Sequence, residues 1–255
     1  MIRTIGCTLV IFLISCATTP VTGSKKLILT STAEENTMGR KAYQEILKHE
    51  KVDSTSELAQ QVRIIGQRLA KAVGRSDFNW EFNLFENPQI NAFCLPGGKV
   101  GLYSGMAKVA NTSARIAAVL AHEIAHAIAR HGGQRMSAQI GQELLMGILS
   151  VATLSELSKE KRQLALAALG LGTTVGVILP FSRSNELEAD EIGLVLMATA
   201  GFDPREAVVL WKRMEEIAGS SGASFLSTHP SNRQRQERLN QLMPRALSIY
   251  QKKVH

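Results

Sequence analysis

The stretch Thr112–His131 (TSARIAAVLAHEIAHAIARH) constrains this chain more than any other. Ile116, Leu120, Ile124 and Ile128 recur every fourth residue, an apolar stripe that predicts a helix lying against a core. His122 and His126 are also four apart, and at 100° per residue they sit roughly 200° round the helix from that stripe. The helix is therefore expected to bury one side and to turn two imidazoles into a cleft. The sequence His122-Glu123-Ile124-Ala125-His126 fits H-E-x-x-H, whose spacing lets both rings converge on one metal ion while the glutamate reaches water bound to it. Two core histidines satisfied by hydrogen bonds are the plainer alternative.

A catalytic zinc needs three protein ligands and an open position. Sixty residues after His126 comes the segment 181–190, FSRSNELEAD, in which Glu186 and Asp190 again share a helical face. Glu186 can complete a His-His-Glu set. Asp190 can accept the far ring N–H of a ligand histidine and so fix its tautomer. Glu188 and Glu191 read as a solvated acidic patch, and His49, His131 and His255 receive no role.

The remaining punctuation organises the chain as α+β, a mostly helical body with a small antiparallel sheet beside the H-E-x-x-H helix. Thr32-Ala33-Glu34-Glu35 predicts a capping box opening a helix to Lys48, and Ser54–Glu57 a second helix that Gly74 stops. Trp80, Phe82 and Leu84 alternate with polar residues as a half-buried strand, and Pro96-Gly97-Gly98-Lys99 joins the arms of a hairpin over 92–103. The helix over 112–131 is expected to end before Gly132-Gly133. Helices are then expected over 139–157, 161–179, 185–200, 204–218 and 232–249. The uncharged run Leu164–Pro180 is short for a membrane span and reads as a buried helix.

Toward the N-terminus, Arg3 precedes an apolar run, Ile5–Ile14, that is about half the ~20 residues a spanning helix needs. It closes on Leu13-Ile14-Ser15-Cys16, the pattern of a bacterial lipobox, which predicts a signal peptide over 1–15, lipidation of Cys16 and a lipidated tether over 16–30. Ala17 rather than aspartate follows the cysteine, which points to the periplasmic side of the outer membrane. With Cys7 removed and Cys16 acylated, Cys94 is left as the one mature thiol, so no intramolecular disulfide is expected. The net charge of +7 and pI near 9.5 admit an anionic surface. No nucleic-acid motif accompanies them, so no nucleic-acid partner is expected.

Taken together, the segments 91–106 (NAFCLPGGKVGLYSGM), 117–131 (AAVLAHEIAHAIARH), 181–190 and 227–235 (STHPSNRQR) resemble the HtpX/Oma/CAAX-protease-type zinc metallopeptidases, in particular their bacterial lipoprotein and periplasmic branch. The resemblance implies one metallopeptidase domain over 31–255. It also implies one zinc held by His122, His126 and Glu186, with Glu123 as general base and Asp190 supporting the ligands. His229 and, six residues on, Arg235 would join the catalytic apparatus. His229 would act either as a latch on the fourth zinc position or as an oxyanion stabiliser. The implied reaction is cleavage of polypeptides, such as misfolded envelope proteins, lying along the 92–103 hairpin. Two rivals remain open at this point: a lipid-anchored chaperone-like binding factor with latent proteolysis, and a purely structural zinc site. Cys94, where alanine is common, departs from the family pattern without touching the chemistry.

Overall fold

A computed structural model of the protein describes residues 15–149, 181–221, 224–230 and 233–254. The apolar run before Cys16, the stretch Leu164–Pro180, the helix expected over 161–179, the end of the one expected over 139–157 and His255 lie outside the described residues.

The segment expected to be a tether is folded. Strands β1 (Ser15–Thr18) and β2 (Lys25–Ile28) pair antiparallel, with Cys16 opposite Leu27. Their loop places Val21 at φ 70°, a left-handed conformation rare for a β-branched residue. Helix α1 (Thr32–His49) starts one residue earlier than its expected box. Ser31 is the N-cap and exchanges hydrogen bonds with Glu34. Glu35 instead turns inward and accepts from Thr30 and Arg130. Helix α2 (Glu57–Val73) is capped by Ser56 and ended by Gly74 at φ 67°, where a side chain would be strained.

Strands β3 (Val52–Asp53), β4 (Glu81–Phe85), β5 (Ala92–Leu95) and β6 (Lys99–Tyr103) form one sheet in the order β3-β4-β6-β5. β5 and β6 are the expected hairpin, but β4 and β6 run parallel, so the sheet is mixed and not antiparallel. The cause is a skipped position: β4 and β5 leave a slot between them, and β6 fills it. All five residues of β6 are buried, because α1 covers one face of the sheet and α2 and α3 the other.

Helix α3 (Ser113–Ile128) runs through the core, packed on β5, α2, α5 (Arg183–Thr199) and α6 (Arg205–Ser221). Every residue from Ile116 to Ile128 is buried, so the stripe has no solvent-facing opposite side. The helix ends earlier than expected, at Ala129-Arg130, where Arg130 takes φ 56° and is held by Glu35 and the Thr30 carbonyl. Gly132 and Gly133 lie inside the next helix, α4 (His131–Leu149). A Cβ at Gly133 would meet the Glu35 carboxylate, which Arg130 and Thr30 hold and which would have to shift. A short helix α7 (Ser224–Thr228) and the long α8 (Arg233–Val254) complete the fold. Among the described residues, no helix is long and apolar enough to cross a membrane.

Candidate active site

Three elements deliver the site. α3 carries His122 and His126 one turn apart. α5, capped by Ser182, carries Glu186 and Asp190 on the face that meets α3. The two backbones approach closely because residue 193 is glycine: a Cβ there would stand 3.2 Å from the His122 Cα. The turn after α7 supplies His229, whose ring stacks on Phe225 with centroids 4.5 Å apart.

The structure brings His122, His126, Glu186 and His229 together as a buried cluster, none more than 3% exposed. His122 Nε2 lies 3.1 Å from His126 Nε2 and 3.3 Å from His229 Nδ1. Glu186 Oε1 lies 3.1 Å from His229 Nδ1 and 3.4 Å from His126 Nε2, and its Oε2 lies 3.4 Å from His122 Nε2. Donor atoms on a tetrahedron of radius 2.0–2.1 Å, the usual zinc–nitrogen and zinc–oxygen distance, are separated by about 3.3–3.4 Å. The observed spacings therefore suit one zinc. Asp190 Oδ1 sits 3.1 Å from His122 Nδ1 and can take that ring's N–H, which leaves the Nε2 lone pair facing inward. Lone pairs converging at such distances repel one another unless a cation lies between them.

Electrostatics favour positive charge at this point. Burial disfavours a charged His122, yet Asp190 and Glu186 outweigh it and raise its pKa to about 9. Burial also opposes ionised Glu186, but His229, His126 and His122 hold it well below the usual carboxylate range. His126 is held neutral, chiefly by burial. Glu123 is buried with its Oε1 3.4 Å from His229 Nε2, and burial raises its pKa above the ordinary value. Cys94 is pushed up by burial and by Glu123, so it is a thiol and not a nucleophile.

Arg235 is placed behind the ligands and not in their midst. It is 2% exposed, donates through Nε and Nη2 to the two Asp190 oxygens at 2.7 Å each, and has Nη1 2.8 Å from Glu186 Oε2. Its guanidinium lies 3.9 Å over the Trp211 ring, which packs against His122 at an interplanar angle of 76° with centroids 5.3 Å apart. Glu188 and Glu191 are not the solvated patch expected of them. Glu191 pairs with Arg238 and Arg245. Glu188 is enclosed by Thr19, Thr22, Lys26 and His131. Sequence reasoning passed over His131, Trp211 and Phe225; of these only His131, five residues after His126, left a signal near the motif.

A site of two H-E-x-x-H histidines and a downstream glutamate, with a further glutamate beside it, defines the zinc metallopeptidase class. The profile of peptidase family M48 matches residues 56–243, and the chain belongs to that family. It is similar to the mitochondrial metalloendopeptidase OMA1 of Schizosaccharomyces pombe, 34% identical over 232 residues that make up 89% of this chain and 66% of the relative. The OMA1 of Arabidopsis thaliana is 36% identical over 174 residues, 68% of this chain and 34% of the relative. The beta-barrel assembly-enhancing protease of Escherichia coli is 30% identical over 249 residues, 94% of this chain and 51% of the relative. The chain thus spans between about a third and two thirds of these relatives' own lengths.

Proposed function

We propose that the protein is a zinc-dependent endopeptidase of the bacterial envelope, held in a latched state by His229. The observation that carries the reading is the convergence of ligand atoms from His122, His126, Glu186 and His229 within 4.8 Å of one another, with the Glu123 carboxylate beside them. Zinc bound there lowers the pKa of a coordinated water and polarises a peptide carbonyl. His122, His126 and Glu186 would hold the ion, and Asp190, clamped by Arg235, would orient His122. Glu123 accepts the proton of the attacking water and returns it to the leaving amine; its raised pKa brings it closer to the pH at which it works. An extended polypeptide lies along β5, the edge strand that packs on α3. A chaperone-like binder would have no use for a buried glutamate at this position.

His229 Nδ1 lies 3.3 Å from His122 Nε2 and 3.1 Å from Glu186 Oε1, so it would take the place that a catalytic zinc leaves to water, and its Nε2 lies 3.4 Å from Glu123 Oε1. That arrangement supports the latch over the oxyanion stabiliser. A substrate or partner that binds only the open form shifts the balance toward activity. The Leu13–Cys16 pattern supports lipid attachment at Cys16 and placement on the periplasmic side of the outer membrane. The likeness to the assembly-enhancing protease supports misfolded envelope proteins as substrates.

The deciding experiment is zinc content and casein hydrolysis of wild type against Glu123→Gln. The variant is expected to keep about one zinc and to lose hydrolysis, because Glu123 acts on water and not on the ion. Undiminished hydrolysis in the zinc-loaded variant would sink the mechanism.

A further inference from the structure

His131 is fully buried, five residues beyond a proposed zinc ligand, and the mechanism above makes no use of it. The break at Ala129-Arg130 turns its ring back onto α3, so that His131 Nδ1 lies 2.9 Å from His126 Nδ1. On its other side His131 Nε2 lies 3.1 Å from Glu188 Oε2. Only one placement of protons satisfies this row when His126 offers Nε2 to a metal. His126 then carries its proton on Nδ1 and donates it to His131 Nδ1. His131 carries its own on Nε2 and donates it to the Glu188 carboxylate.

Glu188 is fixed in turn by the N-terminal hairpin. Thr19 Oγ1 donates to its Oε1 at 2.7 Å, Thr22 Oγ1 at 2.5 Å, and Lys26 forms an ion pair with Oε2. Thr19 and Lys26 are buried. The loop that carries the two threonines closes on itself through Thr19 N–H donating to Ser24 O and Gly23 N–H to Thr19 O. It does so with Val21 left-handed, a conformation that persists only where the surroundings hold it. The loop thus presents two hydroxyls, Thr19 and Thr22, to one carboxylate on the helix that bears Glu186 and Asp190.

We propose that His131 and Glu188 are positioning residues for His126, and that the hairpin over 15–28, through Thr19, Thr22 and Lys26, is a structural part of the zinc site. The relay sets the His126 tautomer as Asp190 sets that of His122, so both histidines of the motif are oriented from behind by a carboxylate, one directly and one through a second imidazole. The inference rests on the zinc reading of the cluster.

The test is chelator competition on the full chain, reading the zinc dissociation constant, together with the visible spectrum of the cobalt-loaded protein. His131→Phe and Glu188→Ala are each expected to weaken zinc binding by about tenfold to a hundredfold, the usual effect of removing such a partner, and to shift the cobalt bands. The double variant should be no worse than the weaker-binding single, because the two act in series. Glu188→Gln keeps an acceptor for the His131 N–H and should bind within a few-fold of wild type. Thr19→Val/Thr22→Val, which touches neither His131 nor the proposed zinc ligands, should weaken binding several-fold, and it serves as the test if His131→Phe does not fold. A folded His131→Phe with an unchanged constant overturns the relay, as does an additive double variant. An unchanged constant in the threonine pair overturns the hairpin's part. A wild type that takes up no zinc would instead remove the reading of the cluster itself.

Discussion

Replacing Arg235 with methionine tests how the site is held together. The guanidinium is 2% exposed and meets two carboxylates that are themselves buried, Asp190 through two bonds of 2.7 Å and Glu186 at 2.8 Å. Methionine fills much of the same volume over Trp211 but leaves Asp190 without its counter-ion. Removing one member of a buried pair costs about 3–5 kcal/mol, because the remaining charge stays desolvated. For a chain of this size each kcal/mol moves Tm by about 2–4 °C, so Arg235→Met should melt roughly 6–20 °C below wild type. Asp190→Asn in the same molecule removes the stranded charge while its carbonyl can still accept from His122 Nδ1. The double variant is therefore expected to recover most of the loss, a coupling that thermal denaturation of the four zinc-loaded proteins measures directly. Casein hydrolysis followed in parallel separates the two roles open to Arg235. If Arg235→Met costs under about 1 kcal/mol in stability yet abolishes turnover, the side chain acts on the substrate and the clamp reading is refuted.

His229→Ala should raise hydrolysis of a short peptide while zinc content stays near one; a fall of about 10²–10³, the usual cost of losing an oxyanion donor, would end the latch. Gly193→Ala places a methyl 3.2 Å from the His122 backbone, and the helix separation it forces should cost about 1–3 kcal/mol in a denaturant titration and weaken zinc binding. Cys16→Ala should abolish lipid labelling and release the protein from membranes; retention as an integral membrane protein would move the anchor elsewhere in the chain.

Local chemistry was readable in the sequence because its causes lie within a few residues. Gly74 ends α2 by supplying a left-handed residue, and Pro96-Gly97-Gly98 turns β5 into β6 through two more at φ 85° and 87°. Three misreadings share the opposite origin: a distant partner decided them. Glu35 sits beside the capping position yet is drawn inward by Arg130, ninety-five residues away in the chain. Gly132-Gly133 resembles a helix stop, but the chain stops earlier because Glu35 and the Thr30 carbonyl hold Arg130 left-handed, and a Cβ at Gly133 would meet the Glu35 carboxylate. The mixed sheet follows from β6 entering between β4 and β5, a choice that strand patterning does not encode.

The site divides along the same line, and the division has a chemical meaning. Spacing of four on a helix found His122 with His126 and Glu186 with Asp190, since each pair has one backbone to align it. Spacing could not say that α3 and α5 face each other at Gly193, nor that the pairs interlock so that Glu186 meets both histidines while Asp190 meets only the back of His122. It also could not supply the partners that charged residues find on other elements. Glu188 and Glu191 looked like solvent-facing charge because acidic residues near a helix start usually are. Arg235 entered only through the family resemblance, which placed it with the catalytic apparatus and said nothing of its partners. In the folded chain each is neutralised by an opposite charge brought in from elsewhere: Lys26, Arg238 or Asp190. Burying a charge is tolerable only when such a partner is supplied. A run of acidic residues beside a proposed metal ligand is therefore better read by asking which basic residues the fold must deliver to it, and Lys26 in the N-terminal hairpin is an answer that no local pattern could give.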